Sequence, residues 1–296
     1  MSLYGGIEAG GTKFICIVAS APDQILVKER FITLAPVETL NQVISFYRQQ
    51  ISKYGPLKGF GIGSFGPVDL NPLSPFYGAI TSTPKLIWQN TPLLRIIEKE
   101  FNVPVAMDTD VNAAAVGEGK WGAGQGLDNF IYVTIGTGIG AGVVVNGEPV
   151  HGLIHPEVGH IRLPHDWQKD SYVGACPFHG DCWEGLASGT AMNQRWGIPA
   201  EQLPNDHPAW DLEAEYIAEA IHNMVCSFSP QRIILGGGVM QQEKLFSLVR
   251  NKVLQSLNGY VQSPIILEHI STYIVPPGLG SEAGVLGALA LAMQAE

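Results

Sequence analysis

Three groups of residues in this 296-residue chain have types and spacings that suit chemistry. Cys176, His179 and Cys182 stand at a Cys-x-x-His-x-x-Cys spacing in CPFHGDCWEG, and His160 lies upstream in HPEVGHIRLPHD. Two thiolates and two imidazoles make a closed tetrahedral zinc set, which is structural rather than catalytic. A Cys176–Cys182 disulfide or unrelated surface histidines are the competing readings, and His151, His155 and His165 compete with His160 for the first ligand position. The second group is Gly10, Gly11, Thr12 and Lys13 in YGGIEAGGTKFIC. A backbone without Cβ atoms lets N–H groups approach an anion, and Thr12 and Lys13 add a hydroxyl and a charge. A plain hairpin turn would read the same way, and Gly-x-x-x-x-Gly-Lys-Ser/Thr is absent, so this is no P-loop. The third is Asp110 in VPVAMDTDVNAAAVGEGKWG. It falls where the C-terminal end of a strand meets a helix N-terminus, the usual place for ligand sites in open α/β sheets. A helix cap is its alternative role.

The elements that must position these groups follow from periodicity. Residues 3–7 and 14–19 read as buried strands around the first glycine turn. A helix is expected over 37–53, followed by a glycine-rich strand that passes into a loop at 64–67. A short helix opens at Thr91-Pro92 and ends before Asn102; residues 103–107 form a strand, and an alanine-rich helix follows from 111. FIYVTIGTGIGAGVVVNG then repeats the strand, turn and strand, placing Thr134, Thr137, Gly138 and Gly140 as in the first turn. Such a duplication marks two similar lobes, one turn meeting each end of a polyphosphate. Gly236, Gly237 and Gly238 in RIILGGGVM lie between a strand and a helix over 241–257, where a nucleotide can be held. An amphipathic core helix is expected from Asp211, and a small-residue helix ends the chain. Trp88, Trp121 and Trp183 lie near the proposed loops, where aromatic packing is their expected role.

Bulk properties restrict the function classes. Hydrophobic residues make up 46% and charged residues 15%, with 35 glycines and 20 prolines, which suits a compact α/β protein rich in tight loops. The net charge of −10 argues against nucleic acid or an anionic membrane as partner, so any bound phosphate must be held locally. No apolar run approaches the roughly 20 residues of a membrane helix, and no leader pattern opens the chain, so a cytoplasmic location is the default. Four cysteines are too few for a disulfide framework, and Cys16 and Cys226 read as buried inert thiols.

The ordered set of Gly10-Gly11-Thr12-Lys13, DTDVNAAA, IGTGIGAG, HPEVGH, the Cys/His cluster and LGGGV resembles the ROK sugar kinases, within the larger group of hexokinase, actin and the heat-shock ATPases. GGIEAGGTKF and CPFHGDCWEG look most like the bacterial fructokinase branch. The resemblance implies a two-lobed α/β fold of the actin/hexokinase (ribonuclease H-like) type with a cleft between lobes. Residues 1–115 would form the small lobe, completed by the C-terminal helix, and 116–296 the large lobe. It implies ATP-dependent phosphorylation of a hexose, D-fructose to fructose 6-phosphate, with Mg²⁺, a structural Zn²⁺ and a homodimer. Asp110 is then the general base. Gly66, Asp110, Asn112, Glu157, His160 and Glu184 are the expected substrate contacts, with Gly10, Gly11, Thr12, Lys13, Thr137, Gly138, Gly236, Gly237 and Gly238 on ATP. Zinc held by His160, Cys176, His179 and Cys182 would fix Glu157 and orient Glu184, coupling metal to sugar binding. Asp108, the rival base, is turned to the opposite face by strand alternation.

Two departures from the family pattern bear on substrate. Position 8 is Glu where many relatives have aspartate near the metal-phosphate, and position 109 is Thr where the glucokinase branch has an asparagine that helps hold the sugar. The second leans the reading from glucose toward fructose, with glucokinase, mannokinase or another ROK hexose kinase as the alternative. A sugar-sensing repressor would need a helix-turn-helix domain before the first strand, where the chain leaves no room. An ATPase without sugar chemistry would leave Glu157, His160 and the Cys/His loop unused.

Overall fold

A computed structural model describes residues 2–295. In chain order its elements begin with β1 (Tyr4–Ala9), β2 (Lys13–Ala19), β3 (Ile25–Ile32), α1 (Pro36–Tyr54), β4 (Phe60–Ser64), α2 (Leu93–Phe101), β5 (Val105–Thr109) and α3 (Asp110–Trp121). Then come β6 (Phe130–Ile135), β7 (Ile139–Val145), the two-residue β8 (Glu148–Pro149), α4 (Trp183–Ala187), α5 (Gly189–Trp196), α6 (Ala209–Phe228) and β9 (Arg232–Gly236). The chain closes with α7 (Glu243–Leu257), the short α8 (Pro264–Leu267) and α9 (Ile270–Tyr273), β10 (Ile274–Val275) and α10 (Ala283–Gln294). Two compact units result: residues 1–126, 148–156 and 278–296, and residues 127–147 and 157–277.

The first unit is built on a sheet of order β3-β2-β1-β4-β5. β1 and β2 form an antiparallel hairpin, and β1, β4 and β5 run parallel. Both hairpin strands are nearly continuous apolar runs because both faces of the sheet are covered. One face packs on α1, whose helical stripe of Leu40, Val43, Phe46 and Tyr47 joins Phe60, Ile62 and Ile97 in one core. The other meets α10, with Tyr4, Ile15 and Ile17 against Val285, Leu286 and Leu289. The close approach of α10 to α3 depends on absent side chains: a Cβ at Gly287 would lie 1.9 Å from the Ala113 carbonyl oxygen.

The second unit repeats the plan. β6 and β7 form an antiparallel hairpin, β6 pairs parallel with β9, and β9 with β10, so β7-β6-β9-β10 reproduces β2-β1-β4-β5. α6 lies in its core through Trp210, Tyr216, Ile217, Ile221 and Met224.

Several boundaries differ from the sequence expectation. The expected lobe boundary near residue 115 falls inside α3, which stays whole in the first unit because its alanine face packs along α10. β3 was not anticipated: it is the sheet's edge strand, and its Lys28, Glu29 and Arg30 are those of an exposed edge rather than a core strand. α2 begins at Leu93 with Pro92 at the cap position, one step past the expected start, because the Thr91 carbonyl accepts from Ile80 N–H and keeps Thr91 outside the helix. The helix expected over 241–257 opens as a 3₁₀ turn, Val239–Gln241, before α7. Cys226 is exposed rather than buried, since it shares the solvent stripe of α6 with Asn223 and Ser227, whereas Cys16 is buried.

Candidate active site

The first unit gathers a turn, a loop and a helix end. The Gly10–Lys13 turn closes the β1–β2 hairpin, with Gly10 N–H donating to Lys13 O at 2.9 Å. From the exit of β3, the Thr33 hydroxyl donates to Gly10 O at 2.8 Å and Thr33 N–H to Thr12 O at 3.0 Å, so the turn is braced from outside. Gly66 follows β4 in a cis peptide with Pro67, beside the His155 ring. Glu8 of β1 is half-buried with its carboxyl facing the first turn of α10; loss of solvent there raises its pKa, and Lys13 acts against that rise.

Asp110 is the first residue of α3, and Thr109 is the cap, its hydroxyl accepting from Asn112 N–H at 3.1 Å. The cap role proposed for Asp110 thus belongs to its neighbour. Asp110 Oδ1 accepts from Val111 N–H, and the helix dipole favours a carboxylate there. Asp108 points away into a buried network, as strand alternation requires. Its Oδ1 accepts from Thr109 N–H and from the Asn112 amide, both at 2.7 Å, and its Oδ2 lies 2.9 Å from His151 Nε2. Asn112, expected at the substrate, is 1% exposed with its amide on Asp108. His155 accepts from Val68 N–H through Nε2, which makes it a neutral ring, and burial lowers its pKa.

In the second unit, Gly136 N–H donates to Gly138 O across the β6–β7 turn, Gly189 N–H donates to Gly136 O, and the Thr190 hydroxyl donates to Thr137 O at 2.7 Å. The start of α5 therefore fixes this turn. Gly237, at φ 94°, sits against the end of β6, where a Cβ would lie 2.3 Å from Ile135 O; Gly236 ends β9 and Gly238 is exposed beyond it. Glu184, in the first turn of α4, accepts from Ile139 N–H at 2.9 Å, and its carboxylate occupies the space a Cβ at Gly138 would need. Glu157 keeps part of its side chain exposed, and shielding of the rest from water, with the neighbouring Glu184 charge second, pushes it up to about 7.

Ligand atoms of His160, Cys176, His179 and Cys182 all lie within 4.8 Å of one another. The sulfur-to-imidazole separations of 3.5 Å, 3.7 Å and 3.5 Å match the edge, about 3.6 Å, of a tetrahedron with ordinary zinc bond lengths. All four cysteines are free thiols, so the disulfide alternative is not adopted. The competing histidines are engaged elsewhere: His151 on Asp108, His155 on Val68, and His165 between Asp170 and Asp181. Burial pushes the Cys182 thiol up to about 12, so a cation is what would make it a thiolate. His160 turns Nδ1 to the cluster, while Nε2 lies 4.0 Å from Glu184. One ring thus joins the Cys/His cluster with one nitrogen and faces a candidate sugar-binding carboxylate with the other.

A family model described as ROK family matches residues 4–295. The chain belongs to the ROK family. Among its relatives, the fructokinases of Zymomonas mobilis and Pediococcus pentosaceus are each 42% identical, over 99% of this chain and 97% and 98% of their own lengths. A solved ROK family glucokinase from Streptomyces griseus, in complex with glucose and AMPPNP, is similar at a TM-score of 0.79 and 27% identity, covering 99% of this chain and all of its own. The fold is accordingly the two-lobed α/β type of the ROK sugar kinases. Thr109, the position on which the substrate expectation turns, is 3% exposed, and its hydroxyl is occupied as the α3 cap.

Sequence reasoning missed three residues around these groups. Asp108 and His151 were weighed for other roles, although a carboxylate and a histidine in one chain give no sign of pairing. Glu118 was not considered: it is fully buried and its carboxylate accepts from the N–H groups of Ala123, Gly278 and Leu279. That anchors the C-terminal end of α3 to the segment leading into α10. A Glu eight residues into an alanine-rich helix reads as a solvent-facing charge, so the sequence offered no signal.

Proposed function

We propose that this protein is an ATP-dependent hexose kinase that transfers the γ-phosphoryl group of Mg·ATP to D-fructose, giving fructose 6-phosphate. The full-length similarity to fructokinases carries the reading. Asp110, at the first turn of α3, accepts the proton of the sugar hydroxyl as its oxygen attacks the γ-phosphorus and the bond to ADP breaks. Gly10, Gly11, Thr12 and Lys13 in one unit and Thr137, Gly138, Gly236, Gly237 and Gly238 in the other hold the nucleotide, their N–H groups and the Lys13 charge neutralising the phosphates. Glu8 would answer to the magnesium of the substrate, through its longer arm or a water, and the cation would favour its ionised form.

Gly66, Glu157, His160 and Glu184 bind the sugar hydroxyls. Zn²⁺ held by His160, Cys176, His179 and Cys182 would cross-link the segments that carry Glu157, His160 and Glu184. Glu184 also contacts the second glycine turn, so the metal loop, the sugar site and a phosphate turn are mechanically joined. The same reading takes the enzyme to be cytoplasmic and without nucleic-acid or membrane partners, supported by the −10 net charge, the free cysteines and the lack, among the described residues, of a helix long and apolar enough to span a membrane; the homodimer rests on the family resemblance alone.

The test is ADP release with Mg·ATP and fructose, glucose, mannose or N-acetylmannosamine. Fructose should give the highest kcat/KM, and Asp110→Asn should lower kcat by about 10²–10⁴ with little change in fructose KM. Turnover that ignores every sugar would sink the kinase reading; preference for glucose or mannose would move it to that branch of the family.

A further inference from the structure

A second lysine lies on the first phosphate turn. A Cβ built on Gly11 would stand 3.0 Å from Lys85 Cε and 3.8 Å from its Cδ, so the Lys85 stem lies across the bare face of the turn that also carries Lys13. The loop bringing it there is fixed. Trp88, which is fully buried, stacks on Phe14, the residue after Lys13, at 5.4 Å between ring centroids, and Phe65, the residue before Gly66, meets the same indole edge-on at 5.7 Å. The indole N–H donates to Leu34 O at 2.9 Å. Trp88 N–H donates to Lys85 O at 2.8 Å, Lys85 N–H donates to the Thr83 hydroxyl, and the Gln89 amide donates to Thr83 O. These contacts hold the Lys85 backbone relative to the hairpin.

Lys85 is itself exposed and forms no ion pair with a carboxylate among the described residues. An exposed lysine is solvated and needs no acidic partner. One laid over a turn whose missing side chains leave its backbone open, in a chain of net charge −10, is suited to an anion that arrives from outside. We infer that Lys85 is a second phosphate-binding cation of the Gly10–Lys13 turn and contacts the polyphosphate of the nucleotide. The inference rests on the kinase reading for the identity of the anion. Glycine at position 11 then has a second reason: any larger residue would displace the Lys85 stem as well as crowd the phosphate.

The experiment is calorimetric titration of wild type, Lys85→Met and Lys85→Arg with ATP, tripolyphosphate and adenosine, alongside fructose-dependent ADP release. A charge-assisted contact predicts that Lys85→Met weakens ATP and tripolyphosphate about ten- to hundredfold, leaves adenosine unchanged and keeps the melting temperature, with part of the loss restored in Lys85→Arg. Unchanged ATP affinity in Lys85→Met, equal weakening of adenosine, or a rise confined to fructose KM would each overturn the assignment. Wild type that binds ATP but shows no sugar-dependent turnover would overturn the kinase reading alone, because the contrast between ATP and adenosine still decides Lys85. Wild type without affinity for ATP would overturn both.

Discussion

At the scale of single residues, neighbouring carboxylates are given different tasks by which way they point. Asp110 stands at a helix N-terminus, whereas Asp108, two residues earlier, is committed to Thr109, Asn112 and His151. The His151 pKa is raised, chiefly by the hydrogen bond to Asp108, against the effect of burial and with smaller help from the Asp108 and Glu148 charges; His155 is the other titratable ring near it. A histidine whose folded pKa exceeds its unfolded value contributes stability that is complete below about 6.5 and is lost as pH rises through the folded value. His155, with its lowered pKa, contributes the opposite sign, so urea unfolding from roughly pH 6 to 8 should show a midpoint that falls further with pH in wild type than in His151→Gln. With the His151 side chain 41% exposed, the difference should stay within about 1 kcal/mol. Glu157, held at about 7, contributes a fall of the same sign, because a carboxyl with a raised folded pKa also loses stability as it ionises; the variant isolates the His151 share. Equal slopes in the two proteins would remove the role given to the pair.

At the scale of elements, two devices place these residues. The first is helix packing without side chains. α10 lies on β4 and α3 so closely that a Cβ at Gly61 would stand 1.9 Å from Ala288 O, and one at Gly287 would be as close to Ala113 O. Gly287→Ala should cost about 1–3 kcal/mol or more in a chemical melt, since backbone has to shift, and should lower kcat because α3 carries Asp110 at its start. The second device is the Cys/His loop. Chelation should remove bound zinc, lower the melting temperature and raise fructose KM more than ATP KM, because His160 belongs to the cluster and Glu157 and Glu184 flank it. A Co²⁺-loaded sample should show thiolate-to-metal absorption that Cys176→Ser diminishes. Chelated protein with unchanged melting temperature and KM would reject that coupling.

At the scale of the whole molecule, each unit is assembled from separated stretches of chain, and the first needs its last stretch. α10 supplies Val285, Leu286 and Leu289 to a core with Tyr4, Ile15 and Ile17. A chain ended before Gly278 should lose the cooperative unfolding transition of the first unit in circular dichroism, although every residue through Asn112 is retained; a sharp melt would contradict that dependence. The sequence by itself determined the features set by short-range spacing: both glycine hairpins, the alanine-rich helix expected from 111, and the Cys-x-x-His-x-x-Cys loop, because turns and residue sets within a few positions are local. It left open which histidine joins the cysteines, and geometry selects His160 because the other candidates are held by Asp108, Val68, Asp170 and Asp181. It missed β3, whose charged residues resemble a loop until a neighbouring strand supplies its hydrogen bonds. Tertiary structure alone decided the pairing of Asp108 with His151, the anchoring of Glu118 to the N–H groups of Gly278 and Leu279 and the reach of Lys85 to Gly11. Each of these joins residues far apart in the chain, and such contacts are set by how sheets and helices stack rather than by any pattern along the sequence.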